Sequence, residues 1–145
     1  MKIAVGSDKT GSALKDVLKE RLLSQDIEVI DCGVGATVDE APSKVAELIR
    51  DGKADGGILV DETGAASSIV ANKVPGIRAA QVSDLYSARL TKAHNLANVL
   101  CFGSAITGPV TAWECVKIWI DTEFMKGNHS IRLAMIEELE KRFAK

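Results

Sequence analysis

A chain of 145 residues, 46% hydrophobic and 26% charged with only 4% aromatics, has the size of one domain whose core must be filled by small aliphatic side chains. Its formal net charge of -2, with Lys and Arg dispersed along the chain, provides no field for nucleic acid or an anionic membrane. Three cysteines without a CxxC pair, a start at the strand-like 1–5 without a charged leader, and no apolar run near the roughly 20 residues of a membrane span predict a soluble protein of the reducing cytoplasm.

From the N-terminus, the stretch Lys2–Ser7 reads as a short apolar strand ending in Gly6-Ser7-Asp8, and Leu14, Val17, Leu18 and Leu22 follow at helical spacing. A β-branched run over 27–31 closes at Gly33 and Gly35; Pro42 then marks a helix start, with Val45, Ala46 and Ile49 on its apolar face. Further strands are predicted over 57–60, 77–81 and 98–102, each followed by helix-compatible sequence. Such alternation, repeated about five times, predicts an α/β fold. Right-handed crossovers make it a three-layer α/β/α, Rossmann-like domain over 1–145, with a five-stranded parallel sheet and an extended C-terminal helix. Ligands of such sheets sit beyond the strand carboxyl ends, where Asp8, the segment 61–66 and Ser83-Asp84 fall.

Towards the C-terminus, Val110, Trp113, Val116, Ile120 and Phe124 form one apolar helical stripe and Met135, Ile136, Leu139 and Phe143 another. The second is more apolar than a peripheral cap requires. It either packs on its own sheet or docks on a second subunit.

Among residues that carry chemistry, the segment 56–68 stands out: a buried strand runs into a turn of small residues, where backbone N–H groups at a helix start can approach an anion or an enediolate oxygen. It lacks the phosphate-loop spacing Gly-x-x-x-x-Gly-Lys-Ser/Thr. His94-Asn95 falls near a helix end, where a histidine either shuttles protons or is a solvated cation favoured by the helix terminus. Asp8 is open to two readings, a helix N-cap ahead of Thr10 or a ligand for hydroxyls. Arg132, one turn into the last helix, either forks onto a phosphate or pairs with Glu137 or Glu138.

Taken in order, Gly6-Ser7-Asp8, then Gly56-Gly57-Ile58-Leu59-Val60 leading to Thr63-Gly64, then Ala71-Asn72-Lys73-Val74-Pro75-Gly76-Ile77-Arg78-Ala79, resemble the ribose-5-phosphate isomerase B and galactose-6-phosphate isomerase family. Val82-Ser83-Asp84, His94-Asn95, Asn98-Val99-Leu100-Cys101-Phe102-Gly103-Ser104 and the stretch 129–132 extend the likeness over nearly the whole chain. The resemblance implies interconversion of aldose and ketose phosphates through a cis-enediolate after histidine-assisted ring opening, in sites shared between two subunits. It makes His94 the ring-opening acid/base and gives Asn95, with the turn around Thr63, Gly64, Ala65 and Ala66, the developing oxyanion. Asp8 would orient hydroxyls and Arg132 would take phosphate, with Lys9, Ser67 and His129 as further substrate contacts. No metal or organic cofactor is expected: the two histidines lie far apart in sequence and Gly-x-Gly-x-x-Gly is absent.

Departures from the family pattern fall at the site. The cysteine that abstracts the C2 proton in these enzymes is replaced by Asp61, and the glycine after it by Glu62; Lys9 stands at a histidine position, and Asn128 and Ala105 stand at arginine positions. An Asp at the cysteine position resembles the A subunit of galactose-6-phosphate isomerase, which works in a heteromer with a cysteine-bearing B subunit. Three readings follow. The chain is a subunit whose His94 and Asn95 complete the site of a cysteine-bearing paralogue; or it is a self-sufficient homodimer or homotetramer with Asp61 or Glu62 as base; or it is a non-catalytic sugar-phosphate-binding or scaffold homologue.

Overall fold

The alternation resolves into eleven elements in a computed structural model that describes residues 1–144. They are β1 (Lys2–Ser7), α1 (Ser12–Ser24), β2 (Glu28–Val34), α2 (Glu40–Arg50), β3 (Gly56–Asp61), α3 (Ala65–Ala71), β4 (Ala79–Gln81), α4 (Leu85–Asn95), β5 (Val99–Gly103), α5 (Pro109–Asp121) and α6 (Asn128–Phe143). All strands are parallel, in the order β2-β1-β3-β5-β4. The chain steps from β1 outward to β2, then crosses back over β1 to β3, so strand order reverses between β1 and β3. In an open α/β sheet that reversal opens a crevice at the carboxyl ends of the two strands.

Side-chain alternation divides the core between two faces. Ile3, Val5, Ile58, Val60, Leu100 and Phe102 meet Leu14, Leu18 and Leu22 of α1 and Trp113, Val116 and Trp119 of α5. On the other face Ala4, Leu59, Val99 and Cys101 meet Val45 and Ala46 of α2 and Ala71 of α3. β3 and β5, covered on both faces, are buried along their whole length, which is why they read as unbroken apolar runs. Among the described residues, no helix is long and apolar enough to cross a membrane.

Four elements differ from their sequence expectations. β2 continues past 31 to Val34 because the Asp31 carboxylate accepts the Gly33 N–H at 2.8 Å. Gly33 takes a left-handed φ of 80°, and the ladder resumes after a register shift opposite Val5 and Ser7. β4 is shorter than 77–81, since the Arg78 N–H donates to Asn98 Oδ1 (2.8 Å) and the Ala79 N–H to Asn72 Oδ1 (2.7 Å), side chains taking the place of a strand ladder. α5 ends at Asp121, leaving Phe124 beyond it and Val110 exposed, so its core face is Ala112, Trp113, Cys115, Val116 and Trp119. Finally, α6 does not pack on its own sheet. Only Leu133 is buried; Ile131 and Met135 are exposed, and Ile136, Leu139 and Phe143 line an open groove beside Ile77, Ala79 and Ala80 at the β4 edge; the chain enters the helix through Gly127 (φ 60°) and leans on α4.

One ion network ties α1 to the edge strand β2. Lys15 is 4% exposed and donates to both oxygens of Asp31, at 3.0 and 3.2 Å, while Lys19 donates to Asp31 Oδ2 at 3.0 Å. Burial alone would raise the Asp31 carboxyl, but hydrogen bonds from Lys15, the Gly33 N–H and Lys19 bring it down to about 2. Burial opposes charge on Lys15 as well, yet Asp31 and Asp16 hold its pKa above the ordinary value.

A carboxyl depressed in the folded state stabilises it above the unfolded value of about 3.9. That contribution fades as pH falls through about 2. Asp31→Asn should therefore lower the urea midpoint near neutral pH and flatten its decline below about pH 4. A wild type and variant whose midpoints fall in parallel would show that the network does not govern acid stability.

Candidate active site

The crevice between β1 and β3 holds a cavity of about 260 Å³ bounded by Ser7, Asp8 and Lys9 after β1, by 35–38 after β2, by Ala41 and Pro42 of α2, and by Asp61, Ala66 and Ser67. Asp8 is not the N-cap of α1, a position taken by Gly11. Its Oδ1 accepts the Thr10 hydroxyl (2.7 Å) and the Gly11 N–H (3.1 Å), closing the turn after β1. Lys9 is exposed at the rim. The loop 35–38 was not legible as a wall of the site: its only signal is its place after the second strand, and nothing in the sequence puts that strand beside the first.

Asp61, at the end of β3 and 7% exposed, is held by its own turn. One carboxylate oxygen accepts the Gly64 N–H; the other accepts both the Ser67 N–H and the Ser67 hydroxyl, each at 3.0 Å. Both oxygens thus occupy the donors that open α3. Gly64 permits the turn with φ 85°, and the Ser104 N–H reaches the Asp61 carbonyl at 2.8 Å. Gly103 lets β5 approach so closely that a Cβ there would stand 2.6 Å from the Thr63 backbone. Gln81, which sequence reasoning passed over, fastens the outer side, its amide donating to the Thr63 carbonyl at 2.6 Å. Thr63 and Glu62 are exposed, and Ala65 and Ala66 are half-buried at the start of α3.

His94, Asn95, His129 and Arg132 are elsewhere. α4 runs back from the carboxyl edge of the sheet, and Leu96 in a left-handed conformation (φ 50°) ends it after Asn95. The residues that follow, Leu96 and Ala97, share a cleft with Met1, Asp55 and Gly56 at the amino ends of β1 and β3. Eleven helical residues place the two ends of α4 about 16 Å apart. The Met125 N–H donates to the Ala93 carbonyl at 2.9 Å and draws the start of α6 over that last turn. There the rings of His94 and His129 stack with centroids 4.2 Å apart and planes at 7°. Burial, then the positive charges of His129, Arg89 and Arg132, lower the His94 pKa. Arg132 is exposed and, among the described residues, forms no ion pair with Glu137 or Glu138.

The structure therefore brings together Asp8, Lys9, Asp61, Ala66 and Ser67 at one end of the sheet, and His94, Asn95, His129 and Arg132 at the other. Each group is half of the expected constellation.

Fold and site define a doubly wound α/β protein with a small pocket at the strand-order switch. The chain belongs to the ribose/galactose isomerase family, whose model matches residues 3–136, and so to the sugar-phosphate isomerases. It is 39% identical to ribose-5-phosphate isomerase B of Escherichia coli, with 97% of each chain covered. It is also 39% identical to the galactose-6-phosphate isomerase subunit LacA of Clostridium acetobutylicum, over 96% of this chain and 99% of that one. The structure of ribose-5-phosphate isomerase B from Clostridium thermocellum matches with a TM-score of 0.97 at 40% identity, covering 99% of this chain and 100% of that one.

Because three donors converge on the Asp61 carboxylate, Asp61→Asn should leave at least one buried N–H facing an amide N–H₂ and cost about 1–3 kcal/mol in urea unfolding. Ser67→Ala, which removes a single donor, should cost about 1 kcal/mol. An Asp61→Asn variant as stable as the wild type would mean that the carboxylate does not hold the turn.

Proposed function

We propose that this chain serves aldose-ketose isomerisation of a phosphorylated sugar, of the galactose-6-phosphate or ribose-5-phosphate type, through a cis-enediolate, as the cysteine-less subunit of a heteromer. Its part is to lend His94 and Asn95 to the pocket of a cysteine-bearing paralogue. The engagement of Asp61 carries this reading. A general base must aim a free lone pair at the proton it takes, whereas three of the roughly four acceptor positions of the Asp61 carboxylate are taken by Gly64 and Ser67. Two backbone donors of that turn, the Gly64 and Ser67 N–H groups, are taken by the same carboxylate.

Two further observations support the shared site. His94 and Asn95 stand at the amino-edge end of α4, a helix about 16 Å long, and so point away from the switch-point pocket of their own chain and towards that of another subunit. The outward apolar face of α6, with Met135 65% and Phe143 76% exposed, is the kind of surface that a neighbouring subunit covers. Equal identity to the ribose-5-phosphate and galactose-6-phosphate relatives favours neither sugar. The free Cys32, Cys101 and Cys115 suit a reducing cytoplasmic setting.

In this mechanism the partly buried His94 opens the sugar ring, exchanging a proton between the anomeric hydroxyl and the ring oxygen. The partner's thiolate removes the C2 proton, and the C1 carbonyl oxygen gains the charge as the cis-enediolate forms. Asn95 and the partner's turn hold that oxygen. Return of the proton to C1, with the O2 proton passing to O1, gives the ketose. Arg132 and His129 face the phosphate.

The purified chain should be nearly inactive on either sugar phosphate, and activity should appear on mixing with a cysteine-bearing paralogue. In the mixture His94→Asn should lower turnover of cyclic substrate roughly 10²- to 10⁴-fold, with a smaller loss on a substrate locked open, and light scattering should find the chain at least dimeric. Strong activity of the chain alone, abolished by Glu62→Gln or Asp61→Asn, would replace this reading with a self-sufficient enzyme. Ligand binding without turnover in every mixture would leave a sugar-phosphate-binding homologue.

A further inference from the structure

His129 has so far stood as a group that faces phosphate, yet its geometry ties it first to His94. The two rings lie nearly parallel at 4.2 Å, close enough that two imidazolium charges would repel strongly. The ring nitrogen His129 Nδ1 is buried and has no hydrogen-bond partner among the described residues. A proton placed on that nitrogen would have no acceptor. His94, by contrast, is partly exposed in the last turn of α4. The other charged groups that face it are Arg89 on α4 and Arg132 on α6, both cationic. No carboxylate lies within ion-pair distance of any of these four side chains among the described residues.

We propose that His129 is a positioning residue for His94: the stack fixes the orientation of the His94 imidazole and opposes a second proton on the pair. The assignment rests on the reading of His94 as the ring-opening residue only for its consequence in catalysis; the stack itself is a property of this chain. Its catalytic value is that a ring held flat against a neighbour presents its outer edge in one direction. A base that is neutral near pH 7 can accept the hydroxyl proton there.

NMR titration of the imidazole signals in the wild type, His129→Phe and His129→Ala tests the proposal without any turnover. In the wild type, His94 should titrate below about 6.5, in a curve coupled to that of His129. His129→Phe keeps a flat ring and should give His94 a simple single-site curve; His129→Ala should move its midpoint up towards about 6.5. In the mixed complex, His129→Ala should lower kcat about 10-fold and shift its acidic limb to higher pH, with His129→Phe restoring most of kcat. Identical His94 curves in all three proteins would overturn the proposal, as would a rise in KM with kcat and its pH profile unchanged, the mark of a phosphate contact alone. If the His94 curves change as expected while no mixture turns over substrate, the functional reading fails and the stack stands.

Discussion

A carboxylate at the end of a buried central strand persists as an anion only if donors surround it. Asp61 obtains them from the first turn of α3, through the Gly64 and Ser67 N–H groups and the Ser67 hydroxyl. This arrangement fixes the path of the chain between β3 and α3, and the neighbours conform to it. Gly103 and Ser104 bring the end of β5 against the turn, and Gln81 fastens it from β4. A turn of small residues that would otherwise offer its N–H groups to a ligand is closed by a side chain of its own. The pocket beside it keeps Asp8 and Lys9 on one side and a largely apolar wall of 35–38, Ala41 and Pro42 on the other.

The second constraint is the direction of α4. A helix that follows an edge strand in a parallel sheet must run back to the amino edge, so His94-Asn95 at its C-terminal end cannot reach the switch-point pocket of the same chain. The start of α6 folds over that end and adds His129 and Arg132. Cationic groups gathered without a counter-ion among the described residues, beside a helix whose apolar face is left uncovered, make this end of the molecule a surface that offers chemistry outward. Pocket and histidine cluster thereby lie at opposite ends of the sheet.

The repeating strand-helix pattern, the parallel sheet and the two apolar faces were legible in the sequence, because burial on both faces of β3 and β5 writes itself as unbroken aliphatic runs. So were the turn of small residues after β3 and the place of His94-Asn95 at a helix end, since each is a local pattern of residue types. Less legible were features that depend on a partner distant in sequence. The true length of β4 depends on Asn72 and Asn98, the continuation of β2 on a carboxylate that caps Gly33, and the wall at 35–38 on the order of the strands.

What the sequence by itself determined is the chemistry available: a family scaffold, a histidine-asparagine pair, and an acid at the end of the central strand. Only the tertiary structure decided how these are spent. It set the Asp61 carboxylate on donors of its own turn, stacked His94 on His129 across 35 positions of chain, and left the apolar stripe of α6 along an open groove beside β4. The physical reason is that residue types and their periodicity are local properties, written in consecutive positions. Which donor meets a carboxylate, and which end of a sheet a helix returns to, are set by the packing of the whole chain.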